Sequence, residues 1–338
     1  MNNNLYSILR IITKVQNSQF KLLGIWLFHI LGRRYIGIFL DPVLACNFRC
    51  KMCYFSDETK RKTYKGSLND EDIKLIAKKL FHRALKLQIG CGAEPTIYAD
   101  WVEIVKLGKQ MNVPFISLVT NGSLLTKEQL MQAVESGLDE IVISTHGLTQ
   151  ETYEFMMTNG NFELFCNIIT CIADIKKKNP TFKLRINYTL NKDNIDELNN
   201  IWNIAGNAMD ILQIRPVQKI GETVYNCFDL DFIIEKYDTI LLPVIERCRK
   251  QNIICIAPDK KNILALKNTK EKNRLIEKAT YCYVSPQGCW QENFDYHKDS
   301  FESFSSKYKL ARRLFCSIFK HTNNEEISVS RKMNYNIN

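Results

Sequence analysis

From residue 35 onward the chain repeats one rhythm, and that rhythm limits its fold more than any other feature. YIGIFLD (35–41) reads as a strand. The helix that follows is capped at 67–69 and sets Ile73, Ile76, Leu80 and Phe81 on one side. LKLQIG (85–90) is the next strand and YADWVEIVKLGKQ the next helix. PFISLV (114–119) precedes TKEQLMQAVESG, and DEIVIS (139–144) precedes helices over 149–177. KLRINYTL (183–190) precedes DNIDELNNIWNIA, and DILQIR (210–215) closes the series. Six β-then-α units at short intervals predict parallel strands joined by right-handed crossovers. The 338 residues suffice for one large α/β domain and a smaller one.

The unusual residues fall at one edge of such a sheet. CNFRCKMC (46–53) follows the first strand, GAEP (92–95) the second, TNG (120–122) the third and STHG (144–147) the fourth. All sit at carboxyl ends of parallel strands, where α/β folds build their sites. In the fifth strand Leu184, Ile186 and Tyr188 alternate with Arg185 and Asn187. In the sixth, Leu212 and Ile214 alternate with Gln213 and Arg215. One face can pack on helices, while the other is too polar for a filled barrel, so an open barrel that holds a ligand is expected.

Twelve cysteines are many for a chain whose start, MNNNLYSILRIITKVQ, lacks the order of a secretory signal. The longest apolar run, LGIWLFHIL (23–31), is too short to span a bilayer. A cytoplasmic location is expected, where clustered cysteines point to metal or catalysis rather than disulfides. Cys46, Cys50 and Cys53 have the spacing C-x3-C-x2-C. A closed zinc site wants four ligands, and Cys91 is the nearest further candidate. Three thiolates within eight residues best suit a [4Fe–4S] cube with one iron open to a small molecule. The net charge of +10 is scattered, with no basic stripe bearing aromatics, so nucleic acid is not an expected partner.

Together these motifs, in order on successive strands over about residues 35 to 217, resemble the radical S-adenosylmethionine (SAM) enzymes. The resemblance implies a partial (β/α)6 TIM-type barrel, with a [4Fe–4S] cluster and SAM as cofactors. It implies that Cys46, Cys50 and Cys53 bind three irons and that SAM chelates the fourth. It also implies that reductive SAM cleavage yields a 5′-deoxyadenosyl radical that abstracts a hydrogen atom. By motif position, Met52 and the Tyr54 backbone would lie near adenine. Gly92, Ala93 and the Glu94 carboxylate would meet the SAM ammonium. Thr120, Asn121 and Ser144 would bond its methionine or ribose. Two departures stand out. Ala93 replaces the usual glycine and is strained if φ there is positive. No Arg follows the fourth strand, so Arg185 is the substitute cation by position, with a structural ion pair as its alternative reading. His146 reads as a turn residue and at most a substrate contact. Cys166 and Cys171 read as core.

Beyond 220 the pattern loosens. NIICIAP reads as a short strand and DKKNILALKNTKEKNRLIEK as a solvated linker or helix. YCYVSPQGCW and the stretch near Cys316 resemble the SPASM or twitch extensions of the family. That implies an auxiliary Fe–S cluster on Cys282, Cys289 and Cys316, with Cys255 a further candidate; the alternative is a degenerate domain that covers the barrel mouth. The expected division is an amphipathic helical segment (1–34), a core barrel (35–220), an extension (221–321) and a mobile tail (322–338). In the first segment Leu5, Ile8, Leu9, Ile12 and Val15 share a face, with Arg10 and Lys14 elsewhere. Core packing is the expected role of that face and membrane-surface contact the alternative. The resemblance further implies a flavodoxin- or ferredoxin-type electron donor and a peptide, protein or small-molecule substrate. The reading from a different class is a non-catalytic Fe–S or zinc scaffold that keeps the fold.

Overall fold

The computed structural model of the chain describes residues 17–219, 221–260, 263, 275–290, 293–319 and 336–337. The apolar face formed by Leu5, Ile8, Leu9, Ile12 and Val15, with Arg10 and Lys14, lies outside the described residues. So do most of the charged stretch 259–278 and the tail from 322, apart from 336–337.

The predicted strands form as β1 (Ile36–Leu40), β2 (Ala84–Ile89), β3 (Phe115–Thr120), β4 (Glu140–Thr145), β5 (Lys183–Leu190) and β6 (Ile211–Pro216). All six pair in parallel with their sequence neighbours. Residues beyond 220 extend this sheet at both sides. β7 (Ile254–Ala257) lies parallel beside β6, and β8 (Tyr281–Ser285) lies parallel beside β1. The short β9 (Gly288–Cys289) folds back antiparallel on β8. The two-residue β10 (Asn336–Ile337) lies antiparallel beside β7, so the order is β10-β7-β6-β5-β4-β3-β2-β1-β8-β9, and the sheet does not close into a barrel.

Local chemistry sets the helices. Asn69 accepts the Asp72 N–H at 2.8 Å and starts the helix Asp70–Leu80. Thr126 and Gln129 form a reciprocal capping box on Lys127–Glu135. Asn161 caps Phe162–Lys178. Each helix turns one apolar stripe to the sheet. Ile73, Ile76 and Leu80 on one helix, and Ile168, Ile169 and Ile172 on another, are buried against it. Side chains of this kind stabilise by ~1.5–3 kcal/mol each. On the sheet's outer face Leu184, Ile186, Tyr188, Leu212 and Ile214 are fully buried, as the alternation predicts.

Among the described residues the first helix meets the last. The helix Ser18–Ile30 packs on Leu310–Ile318, with the Trp26 and Phe315 rings 5.1 Å apart. Buried His29 on the first of these has Nδ1 3.0 Å from the Tyr35 hydroxyl and Nε2 3.0 Å from Ser305 Oγ on the helix Phe301–Lys307. No helix among the described residues is long and apolar enough to cross a membrane.

Candidate cluster and cofactor site

The loop after β1 carries the three cysteines, and its backbone is tied down on several sides. Arg49 Nη1 donates to the Cys46 and Phe48 carbonyls at 2.5 and 2.7 Å. The Arg49 and Lys51 N–H groups donate to Thr158 O and Met156 O, both at 2.9 Å. Asn47 ties the loop to the TNG turn: its Nδ2 donates to Ser123 Oγ at 2.7 Å and its Oδ1 accepts from Asn121 Nδ2 at 2.9 Å. The Glu94 N–H donates to Ala45 O at 2.9 Å. The cysteine loop, the GAEP turn and the TNG turn are thus one laced unit.

The three residues keep part of their surface open, yet their sulfurs are shut in by protein. Burial pushes the Cys46 thiol up to about 12, and the nearby charges of Glu94 and Cys53 add to this. Cys50 is raised as well, by burial and then by Cys53 and Cys46. Cys53 is raised by burial, while the Phe55 N–H opposes the shift. Three thiols close enough to feel one another, in a place that penalises thiolates, form a donor set that needs a strongly cationic guest. Among the described residues no three His, Cys, Asp or Glu side chains are grouped tightly enough to hold a single metal ion. A four-iron cube is wider than an ion, and three thiolates fit it by chemistry. Cys91 faces elsewhere, with its sulfur 3.4 Å from the Tyr281 hydroxyl and near Asp41, Arg215 and Lys86.

Glu94 is 2% exposed and organises the second and third turns. Its Oε1 accepts from Thr96 N at 3.2 Å, Thr96 Oγ1 at 2.5 Å and Thr120 Oγ1 at 2.7 Å. Its Oε2 accepts from the Asn121 N–H at 2.8 Å and has room for a further donor. Burial raises its pKa and these bonds oppose the rise. Sequence reasoning places Glu94, Thr120 and Asn121 around SAM; the structure brings them together and bonds them to one another.

Asp41, at the end of β1, is a residue that the motif reading misses. It is fully buried, and its carboxylate accepts the Cys91 N–H at 2.7 Å, the Gly92 N–H at 2.9 Å and the Tyr283 hydroxyl at 2.7 Å. Tyr64 joins through a 2.8 Å contact with the Tyr283 hydroxyl. Across the turn the Tyr54 hydroxyl donates to Gly92 O at 2.5 Å. A Cβ on Gly92 would lie 2.4 Å from that hydroxyl, so a side chain there would have to displace Tyr54. Gly90, with φ +86° and a virtual Cβ 2.3 Å from Val119 O, is irreplaceable. Ala93 is not among the described non-glycine residues with positive φ, so it fits the turn without strain. A strand ending in aspartate just before the cysteine loop was the available signal for Asp41.

Met52 is buried in the core, with Asn191 Nδ2 3.4 Å from its sulfur. Ser144 stands half-buried on β4, in register with Asn187 on β5. Arg185 is drawn away from the carboxyl edge. Its Nη2 pairs with buried Glu140 at the start of β4, and its Nη1 donates to Gln213 at 3.1 Å. This placement matches the structural ion pair.

The auxiliary set is not assembled among the described residues. Cys282 and Cys289 are buried near each other, Cys255 bonds to Cys248, and Cys316 is exposed on the helix Leu310–Ile318.

His146 lies at the end of β4, with its pKa pushed down to about 4 by burial. Its Nδ1 has no partner. An unfolded histidine titrates near ~6.5, so the unfolded chain takes up this proton first as pH falls. Stability present above that value is then lost down to about 4. The loss should reach about 2 kcal/mol at pH 5. Denaturant unfolding at pH 7 and pH 5 should show this extra loss in the wild type and not in His146→Gln; equal losses would refute it.

Residues 41–201 match the radical SAM superfamily. A probable GTP 3′,8-cyclase of Saccharolobus solfataricus is 30% identical over 213 residues, covering 61% of this chain and 65% of the relative. The chain thus spans about two thirds of the length of such curated relatives. Among solved structures, Streptococcus suis SuiB superposes with a TM-score of 0.61 at 13% identity, covering 82% of this chain and 68% of SuiB. Methylornithine synthase (PylB) does so with a TM-score of 0.50 at 16% identity, covering 92% and 90%. These two share the fold. With the laced cysteine loop and its thiol donor set in place, residues 41–201 are similar to the radical SAM superfamily, enzymes whose cofactors are a [4Fe–4S] cluster and S-adenosylmethionine.

Proposed function

We propose that this chain cleaves SAM reductively and removes a hydrogen atom from a substrate held on the inner face of its curled sheet. The carrying observation is the single laced unit of cysteine loop, GAEP turn and TNG turn. In this reading Cys46, Cys50 and Cys53 hold the cluster. Glu94 Oε2 and the Gly92 and Ala93 backbone receive the SAM ammonium, and Met52 and Tyr54 border the adenine. Thr120, Asn121 and Ser144 shape the wall beside it. Bound together, the two cofactors supply a carbon radical that abstracts hydrogen. The protein's part is to fix the turns before SAM arrives, so that little reorganisation remains. Asp41 does this for GAEP and Glu94 for TNG.

The relatives' name concerns a nucleotide, whereas the likeness of residues 281–316 to SPASM or twitch extensions suggests a peptide or protein. In this reading residues 221–321 cover the barrel mouth and supply β8. A small acidic flavodoxin or ferredoxin would suit the net charge of +10 as electron donor.

Anaerobic reconstitution with iron and sulfide, followed by dithionite and SAM, should release 5′-deoxyadenosine detectable by mass spectrometry. A protein that takes up a full iron complement and binds SAM, yet releases none with or without cell extract as substrate source, would overturn the reading.

A further inference from the structure

The helix Ser18–Ile30 reverses the usual pattern of a surface helix, which turns a charged face to water. Its buried side holds Leu22 and His29, while Phe20, Leu23, Leu27, Phe28, Ile30 and the capping Leu31 are exposed. At about 3.6 residues per turn, Phe20, Leu23, Leu27 and Leu31 form one stripe along the helix. Beyond Lys21 the outward side holds no polar side chain. The apolar surface continues onto the helix Leu310–Ile318. There Phe315 packs on Trp26, and the Phe319 ring lies 5.1 Å from that of Phe315. Phe20, Leu31 and Phe319 are 66, 65 and 69% exposed. A contiguous apolar patch of this kind marks a surface that is covered in use.

Charge decides what covers it. Neither helix carries Asp or Glu, and the first acidic residue of the whole chain is Asp41. Arg33, just past the stripe, is exposed, as are Arg312 and Arg313 on the second helix. Arg312 shares its outward face with Phe315 and Phe319, three and seven residues on. Glu302, on the preceding helix Phe301–Lys307, is taken up by His82 and Arg83. A second copy seated on this patch by two-fold symmetry would set the arginines against one another. Phenylalanines and leucines rimmed by cations suit a surface that is apolar below and anionic above, as the boundary of an anionic bilayer is. A helix of 13 residues is ~20 Å long, enough to lie along that boundary and too short to cross a core of about 30 Å.

We propose that this two-helix face docks the protein on an anionic lipid bilayer. The phenylalanine and leucine side chains enter the boundary between headgroups and acyl chains, and Arg33, Arg312 and Arg313 meet lipid phosphates. The stripe ends at the loop that leads into the amino end of β1, where Arg34 is bonded to the Phe81, Ala84 and Met111 carbonyls. The cysteine loop follows the other end of that strand, so docking leaves the cluster edge uncovered. This goes beyond the proposed chemistry and does not depend on it.

The test is co-sedimentation of the whole chain with vesicles of equal parts phosphatidylglycerol and phosphatidylcholine, beside vesicles of phosphatidylcholine alone, at fixed ionic strength. The wild type should pellet with the anionic vesicles and partition at least about tenfold less onto the neutral ones. Phe20→Glu/Phe319→Gln and Arg312→Gln/Arg313→Gln should each lower partition onto the anionic vesicles at least about fivefold. Lys127→Gln, which removes an exposed cation from the helix between β3 and β4, should leave it unchanged. All the altered side chains are exposed, so the proteins should melt alike without vesicles. Two variants of different chemistry keep the test decisive where one of them misfolds. Absence of pelleting, equal partition onto neutral vesicles, or undiminished pelleting of both folded variants would overturn the proposal. A wild type that ignores vesicles but forms a dimer lost in the same variants would overturn it in favour of a second copy.

Discussion

Cys50→Ala is expected to abolish 5′-deoxyadenosine release, a fall of at least about three orders of magnitude, to the background without enzyme. Cys50 is the most enclosed of the three thiols and the one on which both neighbours act. Without it two protein ligands remain, too few to keep a cube in place, and iron per chain should fall with the activity. The fold should survive. The loop backbone is held by Arg49, Asn47 and the Lys51 N–H, none of which uses the Cys50 side chain. Removing a thiol that resists ionisation should move the apoprotein's stability by no more than about 1 kcal/mol. Product formation by a folded Cys50→Ala protein would rule out this ligand set.

Glu94→Ala should give the largest loss of stability. Truncation orphans the Thr96 and Asn121 N–H groups and two threonine hydroxyls at a site closed to water. Unmade bonds to a buried charge cost about 3–5 kcal/mol. Glu94→Gln keeps the shape but turns an amide NH2 toward donors on one side, so about half that loss is expected. Both variants should bind SAM at least about tenfold more weakly, because the TNG turn loses its anchor to GAEP. Urea unfolding and SAM titration read the two effects separately. If stability falls while SAM affinity is unchanged, Glu94 is only a brace.

Much of this was legible in the sequence, for a physical reason. The six β-then-α units are written in local periodicity, which needs no distant partner. The polar inner face could be read from two strands because side chains alternate strictly across a sheet. The cysteine loop was legible because its ligands are neighbours in the chain. What stayed hidden depends on contacts between distant residues. The sequence leaves Arg185 open between a cofactor cation and a structural ion pair, because its partner Glu140 stands on another strand. The doubt about Ala93 turned on the sign of one dihedral angle. Glu94, expected to face the cofactor, is also bonded to the next turn, which its sequence neighbours do not show. The role of YCYVS was masked by its cysteines. Tyr281 and Tyr283 alternating with Cys282 and Val284 before a Pro-Gln-Gly turn is a strand signal, and it marks β8.

That strand has a consequence for how the protein is made. The Asp41–Tyr283 bond joins residues 242 positions apart, and β1 gains its second neighbour only when β8 arrives. On the ribosome, β1 and the whole barrel core emerge first, with one edge of β1 bare and Ile36 and Ile38 beside it. Exposed apolar edges recruit other chains, and pairings this distant in sequence form slowly. A nascent chain stalled before residue 281 would therefore carry all three cysteines yet be prone to aggregate. Chaperone protection through late synthesis would then raise how much protein reaches a state able to accept its cluster.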